Sequence, residues 1–246
     1  MEKILIIIPA LNEADNILQT VEDIRAHCTL KGADLLVVDD SSVDDTARLL
    51  REEGIPHLTL VHNLGIGGSV QAGYRYAMEK EYDIAVQFDG DGQHDAAYIE
   101  ALVRPILDGS ADYTVGSRFV TGEGEAPGEG FRSSSARRAG IRFLSFLVRL
   151  LADVRVKDVT SGFRAVNANL IRVFAHHYAQ DYAEPEALVW AGRNGARITE
   201  IPVQMKERAG GKSSITPLRS VYYMIKVTLS LMLTGRAGKK QKPGHA

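Results

Sequence analysis

Apolar residues occur in short continuous blocks, each followed by a polar turn and then by helical spacing. Residues 3 to 8 read KILIII, an apolar run ended by Pro9, and a helical pattern follows from about Ala14 to Cys28. The unit repeats. Asp34-Leu35-Leu36-Val37-Val38 is a second run, closed by Asp39-Asp40-Ser41-Ser42, with a helix expected from about Asp44 to Glu53. The acidic residues at that start favour the positive end of a helix. His57 to Val61 predicts a third strand, Gly67 to Lys80 a third helix, Ile84 to Phe88 a fourth strand and Ala96 to Leu107 a fourth helix. Strands that are apolar on both faces and alternate with helices imply a mostly parallel sheet covered on both sides, the α/β class. No low-complexity linker divides the first 118 residues, so they read as one domain.

The pattern changes after residue 119. Residues 120 to 134, VTGEGEAPGEGFRSS, hold four glycines and a proline and predict a loop. From Arg132 to Arg149 there are five arginines and no acid. The stretch Ala136 to Leu151 interleaves them with Ile141, Phe143, Leu144, Phe146, Leu147, Leu150 and Leu151, a basic amphipathic helix suited to a lipid surface or to a core. A second apolar helix is expected within Pro217 to Thr234, interrupted by Lys226 and short of the roughly 20 apolar residues that a span requires. The chain is therefore expected to lie on a membrane rather than cross it. Residues 1–215 are expected to form the main domain, 216–234 a membrane-associating helix, and 235–246 a basic disordered tail.

Composition narrows the picture only a little. Of 246 residues, 45% are hydrophobic and 24% charged, as in an ordinary globular protein, and the net charge of −2 gives no reason to expect nucleic acid as a partner. The charge is uneven, since no acid follows Glu207 while Arg208, Lys212, Arg219, Lys226, Arg236, Lys239, Lys240 and Lys242 do. Cys28 is the single cysteine, so no internal disulfide is possible. With MEKILIII leading straight into a strand, the expected location is cytoplasmic, peripheral on the inner face of the membrane.

The chemistry is concentrated in Asp83 to His94, DIAVQFDGDGQH. The predicted strand ends in Asp89-Gly90-Asp91, placing two carboxylates at the sheet edge where open α/β proteins bind ligands. Hard oxygen donors at that spacing suit a divalent cation that also holds a diphosphate, and Gln93 adds a third oxygen. The same residues are also common in helix-capping turns.

Four strings in order, IIIPALNE at Ile6 to Glu13, VVDDSSVDDT at Val37 to Thr46, HNLGIGGSVQAG at His62 to Gly73 and FDGDGQH at Phe88 to His94, resemble the family 2 glycosyltransferases of the GT-A fold. The later GSRF (Gly116 to Phe119), DVTSGFRA (Asp158 to Ala165) and EIPVQMKERAGGKSS (Glu200 to Ser214) are similar to the polyprenyl-phosphate sugar synthases of that family. The resemblance implies a GT-A domain with C-terminal amphipathic helices, and inverting transfer from a nucleotide-sugar to a polyprenyl phosphate in cell-envelope biosynthesis. Pro9, Leu11, Asn12, Glu13, Val38, Asp39, Asp40, Gly68, Gly90, Arg208 and Lys212, with Asp89 and Asp91, would hold the nucleotide-sugar. Mg2+ or Mn2+ would sit on Asp89, Asp91 and Gln93, and Arg118, Arg137, Ser161 and Arg164 would meet the lipid phosphate. Catalysis would fall to Asp89, Asp91, Arg118 and Glu184.

Two acceptors stay open. A phosphate monoester, with its second pKa near about 6, is already a nucleophile and needs no base. A sugar hydroxyl of a lipid-linked glycan does need one, and Glu184 in DYAEPEAL stands where many sugar-to-sugar members of the family place an acidic base. The partners expected are therefore a nucleotide-sugar, one of these acceptors and the membrane surface, with a small membrane-protein partner possible.

Overall fold

The apolar blocks become strands of a seven-stranded sheet. The structure, a computed structural model, describes residues 2–120, 135–205 and 226–233, with side chains from Arg138 onward in the helix that begins at Ser135. In chain order the elements are β1 (Ile4–Ala10), α1 (Ile17–His27), β2 (Ala33–Asp39), α2 (Thr46–Glu52), β3 (His57–Thr59), α3 (Gly65–Glu79), β4 (Ile84–Gln87), α4 (Ile99–Leu107), β5 (Tyr113–Ser117), α5 (Ser135–Ala152), β6 (Arg164–Asn167), α6 (Ala168–His176), α7 (Ala183–Arg193) and β7 (Ile198–Pro202). A last helix, α8, covers 226–233. The sheet order is β3-β2-β1-β4-β6-β5-β7. All pairs are parallel except those of β6, which runs antiparallel to both β4 and β5, with Gln87 opposite Arg164.

Alternation along β1 shows how the sheet is buried. Leu5 and Ile7 join the core under α3, α5, α6 and α7, while Ile4, Ile6 and Ile8 join the core under α1, α2 and α4. Every residue of β1 is buried, as expected of a central parallel strand between two helical layers. The α3 layer packs closely because Gly73 faces β1: a Cβ there would stand 2.3 Å from Ile7 Cγ2.

The helix at Ser135–Ala152 buries Ile141, Leu144, Leu147 and Val148, and α8 adds Val227 and Leu231 to the same core. Each helix also keeps an exposed apolar row: Phe143, Phe146 and Leu150 on α5, and Leu229, Met232 and Leu233 on α8. Arg142 and Arg149 are exposed beside the α5 row. Among the described residues no helix is long and apolar enough to cross a membrane. The expected loop at 121–134, most of the 216–234 segment and the 235–246 tail lie outside the described residues.

Candidate active site

The strand order turns back at β1 and β4, and a cleft of about 350 Å³ opens at the carboxyl ends of those strands. In open α/β sheets this is the position where two loops diverge to opposite faces and leave a crevice. Pro9, Ala10, Leu11 and Glu13 form one wall, with Asp40, Ile66 and Ser69 next to them. Asp89, Gly90 and Asp91 form the floor, and Thr160, Gly162 and Glu184 the far wall.

The first wall is two loops tied together. Asn12 takes a left-handed conformation (φ 54°), and its N–H donates to Ser42 Oγ at 2.9 Å while its Oδ1 accepts from the Val43 N–H at 2.9 Å. The Glu13 N–H donates to Thr46 Oγ1 at 2.9 Å. Asp40 accepts from the N–H groups of Leu64 and Gly65 at 2.7 and 2.9 Å, so one carboxylate both starts α3 and borders the cleft. Asp39 accepts from the Ser42 N–H through Oδ1, whereas its buried Oδ2 meets no hydrogen-bond donor among the described residues.

The floor is built from the end of β4. Asp89 accepts from the side-chain amide of Gln87 at 3.4 Å and lies 3.1 Å from His94 Nε2. The imidazole is buried against Phe163 and Phe88, with ring centroids at 4.9 and 5.4 Å, so it faces neither solvent nor the cleft. Burial works against the charge of Asp89, but the His94 hydrogen bond and charge, the Gln87 amide and the charge of Arg164 outweigh it and hold the carboxyl below its usual range. Asp91 accepts from the Gln93 N–H at 3.1 Å. Two carboxyl groups thus share the floor.

Gly162 presses on that floor from the far wall: a Cβ there would lie 2.3 Å from Asp89 Oδ2 and 2.6 Å from Oδ1. Opposite it, Glu184 is in the first turn of α7. Burial pushes its carboxyl up from the ordinary value, only partly offset by the charge of Arg164 and a hydrogen bond from Gln87, with Asp89 adding to the rise. Behind both lies Arg164, fully buried. Its guanidinium donates to the carbonyls of Ser161, Val159 and Glu184 and to the Tyr113 hydroxyl.

Of the residues expected at a nucleotide-sugar site, Pro9, Leu11, Glu13, Asp40, Asp89, Gly90 and Asp91 border the cleft, as does Glu184. Asn12 and Asp39 support its rim, and Val38 is buried in the core. Gly68 departs from expectation. A Cβ there would stand 2.4 Å from Leu64 Cβ, so its small size serves packing at the start of α3. Gln93 offers its backbone N–H to Asp91, and its side chain is not among the cleft-lining groups.

Of the four residues expected at a lipid phosphate, the side chains of three are described. Ser161 and Arg164 are buried, and Arg164 gives four hydrogen bonds to protein acceptors. Arg118 forms a two-point ion pair with buried Asp158, at 2.7 Å from Nε and from Nη2. The side chains of Arg137, Arg208 and Lys212 lie outside the described residues. Thr160 and Gly162 were missed as cleft-forming residues, although SGFRA contains the glycine. Gln87 was missed as well, and its signal was one amide inside an otherwise apolar strand.

The sheet and its crevice are those of the GT-A fold. A solved structure of glucosyl-3-phosphoglycerate synthase from Mycobacterium tuberculosis in complex with UDP matches with a TM-score of 0.68 at 19% identity, over 98% of this chain and 82% of that one. The chain belongs to glycosyl transferase family 2, whose model matches residues 5–172. Among its relatives is a UDP-N-acetylglucosamine--dolichyl-phosphate N-acetylglucosaminyltransferase of Methanococcus voltae, 31% identical over 82% of this chain and 84% of the relative. An undecaprenyl-phosphate mannosyltransferase of Micrococcus luteus is 28% identical over 87% of this chain and 88% of that protein. The polyprenol monophosphomannose synthase of Mycolicibacterium smegmatis is 29% identical over 87% and 82%.

Proposed function

We propose that the protein transfers a sugar from a nucleotide-sugar to a polyprenyl phosphate, with inversion at the anomeric carbon, while resting on the cytoplasmic face of a membrane. The observation that carries this reading is the cleft at the ends of β1 and β4, floored by Asp89 and Asp91, in a chain whose relatives are named for lipid-phosphate acceptors.

The donor set fits a divalent cation. Among the described residues no group of three or more His, Cys, Asp or Glu is arranged to hold a metal, and the floor of the cleft offers two carboxylates, Asp89 and Asp91. A cation of the magnesium or manganese kind is commonly bound in this way, by one or two carboxylates plus substrate phosphates and water. Asp89 and Asp91 would hold it, and it would offset charge on the leaving diphosphate. A structural neighbour solved with Mn2+ and UDP supports a divalent cation. Asp39 Oδ2 and the Glu13 side of the cleft are suited to base or ribose donors. The acceptor phosphate needs no deprotonation, so this chain has only to bring it to the open side of the sugar. The exposed rows Phe143-Phe146-Leu150 and Leu229-Met232-Leu233, with Arg142 and Arg149, support a lipid-facing surface.

A second reading has its own observation. Glu184 borders the cleft, and burial raises its carboxyl toward the range useful to a general base, as a sugar-hydroxyl acceptor requires. The two readings separate in a radiolabelled transfer assay that offers UDP-N-acetylglucosamine, GDP-mannose and UDP-glucose with Mg2+ or Mn2+ and undecaprenyl phosphate in detergent. The first expects a labelled, mild-acid-labile lipid whose formation survives Glu184→Gln. Donor turnover without lipid label, lost in Glu184→Gln, supports the second.

A further inference from the structure

Arg164 carries a full charge in a site with no exposure, and among the described residues no carboxylate stands at ion-pair distance from it. Its contacts are three main-chain carbonyls and a phenol: Nε to Ser161, Nη2 to Val159 at 3.0 Å, and Nη1 to Glu184 at 2.8 Å and Tyr113 Oη at 2.5 Å. A buried cation often stabilises no more than an apolar side chain of similar volume. What the guanidinium adds is direction, because its planar fork fixes several acceptors relative to one another. The acceptors joined here belong to different elements. Val159 and Ser161 are in the turn that delivers Thr160 and Gly162 to the cleft, whereas the Glu184 carbonyl belongs to the first turn of α7.

We propose that Arg164 is a positioning residue for sugar transfer: wedged behind the cleft, it holds the 159–162 turn and the start of α7 at a fixed separation, so that Gly162 stays against Asp89 and Glu184 stays at the wall. The inference rests on the reading of this cleft as the transfer site. Its charge reaches that site, where it favours the ionised Asp89 carboxylate and partly offsets the rise at Glu184. Tyr113, the fourth partner, borders no part of the cleft and is itself fully buried on β5.

Four variants of the full chain test this, assayed with undecaprenyl phosphate and whichever of UDP-N-acetylglucosamine, GDP-mannose or UDP-glucose transfers label. Arg164→Lys keeps the charge and loses the fork. Tyr113→Phe removes one partner and keeps the arginine, and it carries the test should the lysine variant not fold. Thr114→Val is the matched control: it removes a buried hydrogen bond from the next residue of β5, to the Leu102 carbonyl at 2.8 Å, on the side of the sheet that packs on α4. Expected are a kcat lowered at least about tenfold in Arg164→Lys and several-fold in Tyr113→Phe, with donor KM nearly unchanged, because misplaced reacting groups cost rate more than binding. Thr114→Val should lose a comparable amount of thermal stability and keep its kcat. An unchanged kcat in Arg164→Lys, or in Tyr113→Phe where the lysine variant does not fold, overturns the inference, as does an equal fall in Thr114→Val. The fourth variant, Asp91→Asn, separates the two levels. If it transfers as well as wild type, the cleft reading and the inference fail together; if it is dead while Arg164→Lys is unaffected, the positioning role alone fails.

Discussion

Replacing Gly162 with alanine puts a methyl group in place of a hydrogen at the most crowded point of the cleft. The new Cβ would sit 2.3 Å from Asp89 Oδ2, 2.6 Å from Oδ1 and 2.8 Å from Cγ, whereas ordinary contact begins at 3.4 Å. Either the carboxylate or the turn must therefore retreat by about 1.1 Å, a displacement that at a reacting centre costs on the order of 10²-fold in rate. The carboxylate cannot turn aside without leaving His94 Nε2 at 3.1 Å and the Gln87 amide at 3.4 Å. We expect Gly162→Ala to lower kcat/KM about 100-fold, equivalent to ~2.7 kcal/mol of transition-state stabilisation. The added strain should cost about 1–3 kcal/mol of stability. For a chain of this size each kcal/mol shifts Tm by roughly 2–4 °C. Steady-state kinetics and a thermal melt measure the two effects separately. Gly73→Ala calibrates them, since its Cβ would strike Ile7 Cγ2 at 2.3 Å in the core and should cost stability without a comparable loss in kcat. A Gly162→Ala enzyme with kcat/KM within threefold of wild type would refute the reasoning, because the clash would then have been absorbed without moving Asp89.

Asp91→Ala should abolish label transfer and, in Mn2+ titration in the presence of the nucleoside diphosphate, remove the binding seen with wild type; chelation with EDTA should stop wild-type transfer and added Mg2+ or Mn2+ restore it. Glu184→Gln should be more stable than wild type at pH 7. The folded protein holds the Glu184 proton more tightly than the unfolded chain, so wild-type stability is fully present below the ordinary value of 4.5 and declines as pH rises through the raised folded value. Melts at pH 7 and pH 4 check this, with the advantage of the glutamine expected to vanish at the lower pH. Double replacement of Phe146 and Leu150, exposed at 60% and 68%, with serine should leave Tm nearly unchanged and weaken sedimentation with liposomes containing anionic lipid; undiminished sedimentation counts against α5 as the lipid-facing surface.

Much of this architecture is visible as pattern, and what is not has a physical reason. Runs such as KILIII and LLVV report strands because burial on both faces needs apolar residues at every position, and Asp89 and Asp91 stand out as acids at the end of one. β6 escapes notice because it has four residues, begins with an arginine and takes its reversed direction from its neighbours in the sheet, which no local period encodes. For the same reason the helical starts drift by a few residues: the third helix begins at Gly65, where the Asp40 carboxylate caps it from 25 residues away. In the site, single-residue chemistry is legible and approach is not. Arg164 reads as a phosphate ligand because arginines are usually exposed, and only the fold turns it inward. Gly162 and Thr160 become cleft residues because a turn far from Asp89 in sequence returns beside it.

The reversed strand divides the molecule into two workshops with a shared bench. On the β1–β4 side, every loop at the cleft follows a strand of the parallel part of the sheet. On the other side, the turn at 159–162 precedes its strand, and β6 is secured by pairing with β4 and β5 rather than by the length of what comes before it. Chain inserted or deleted between β5 and β6 therefore alters one bank of the cleft while the other keeps its form. A scaffold of this kind can reshape one wall of its cleft without disturbing the other.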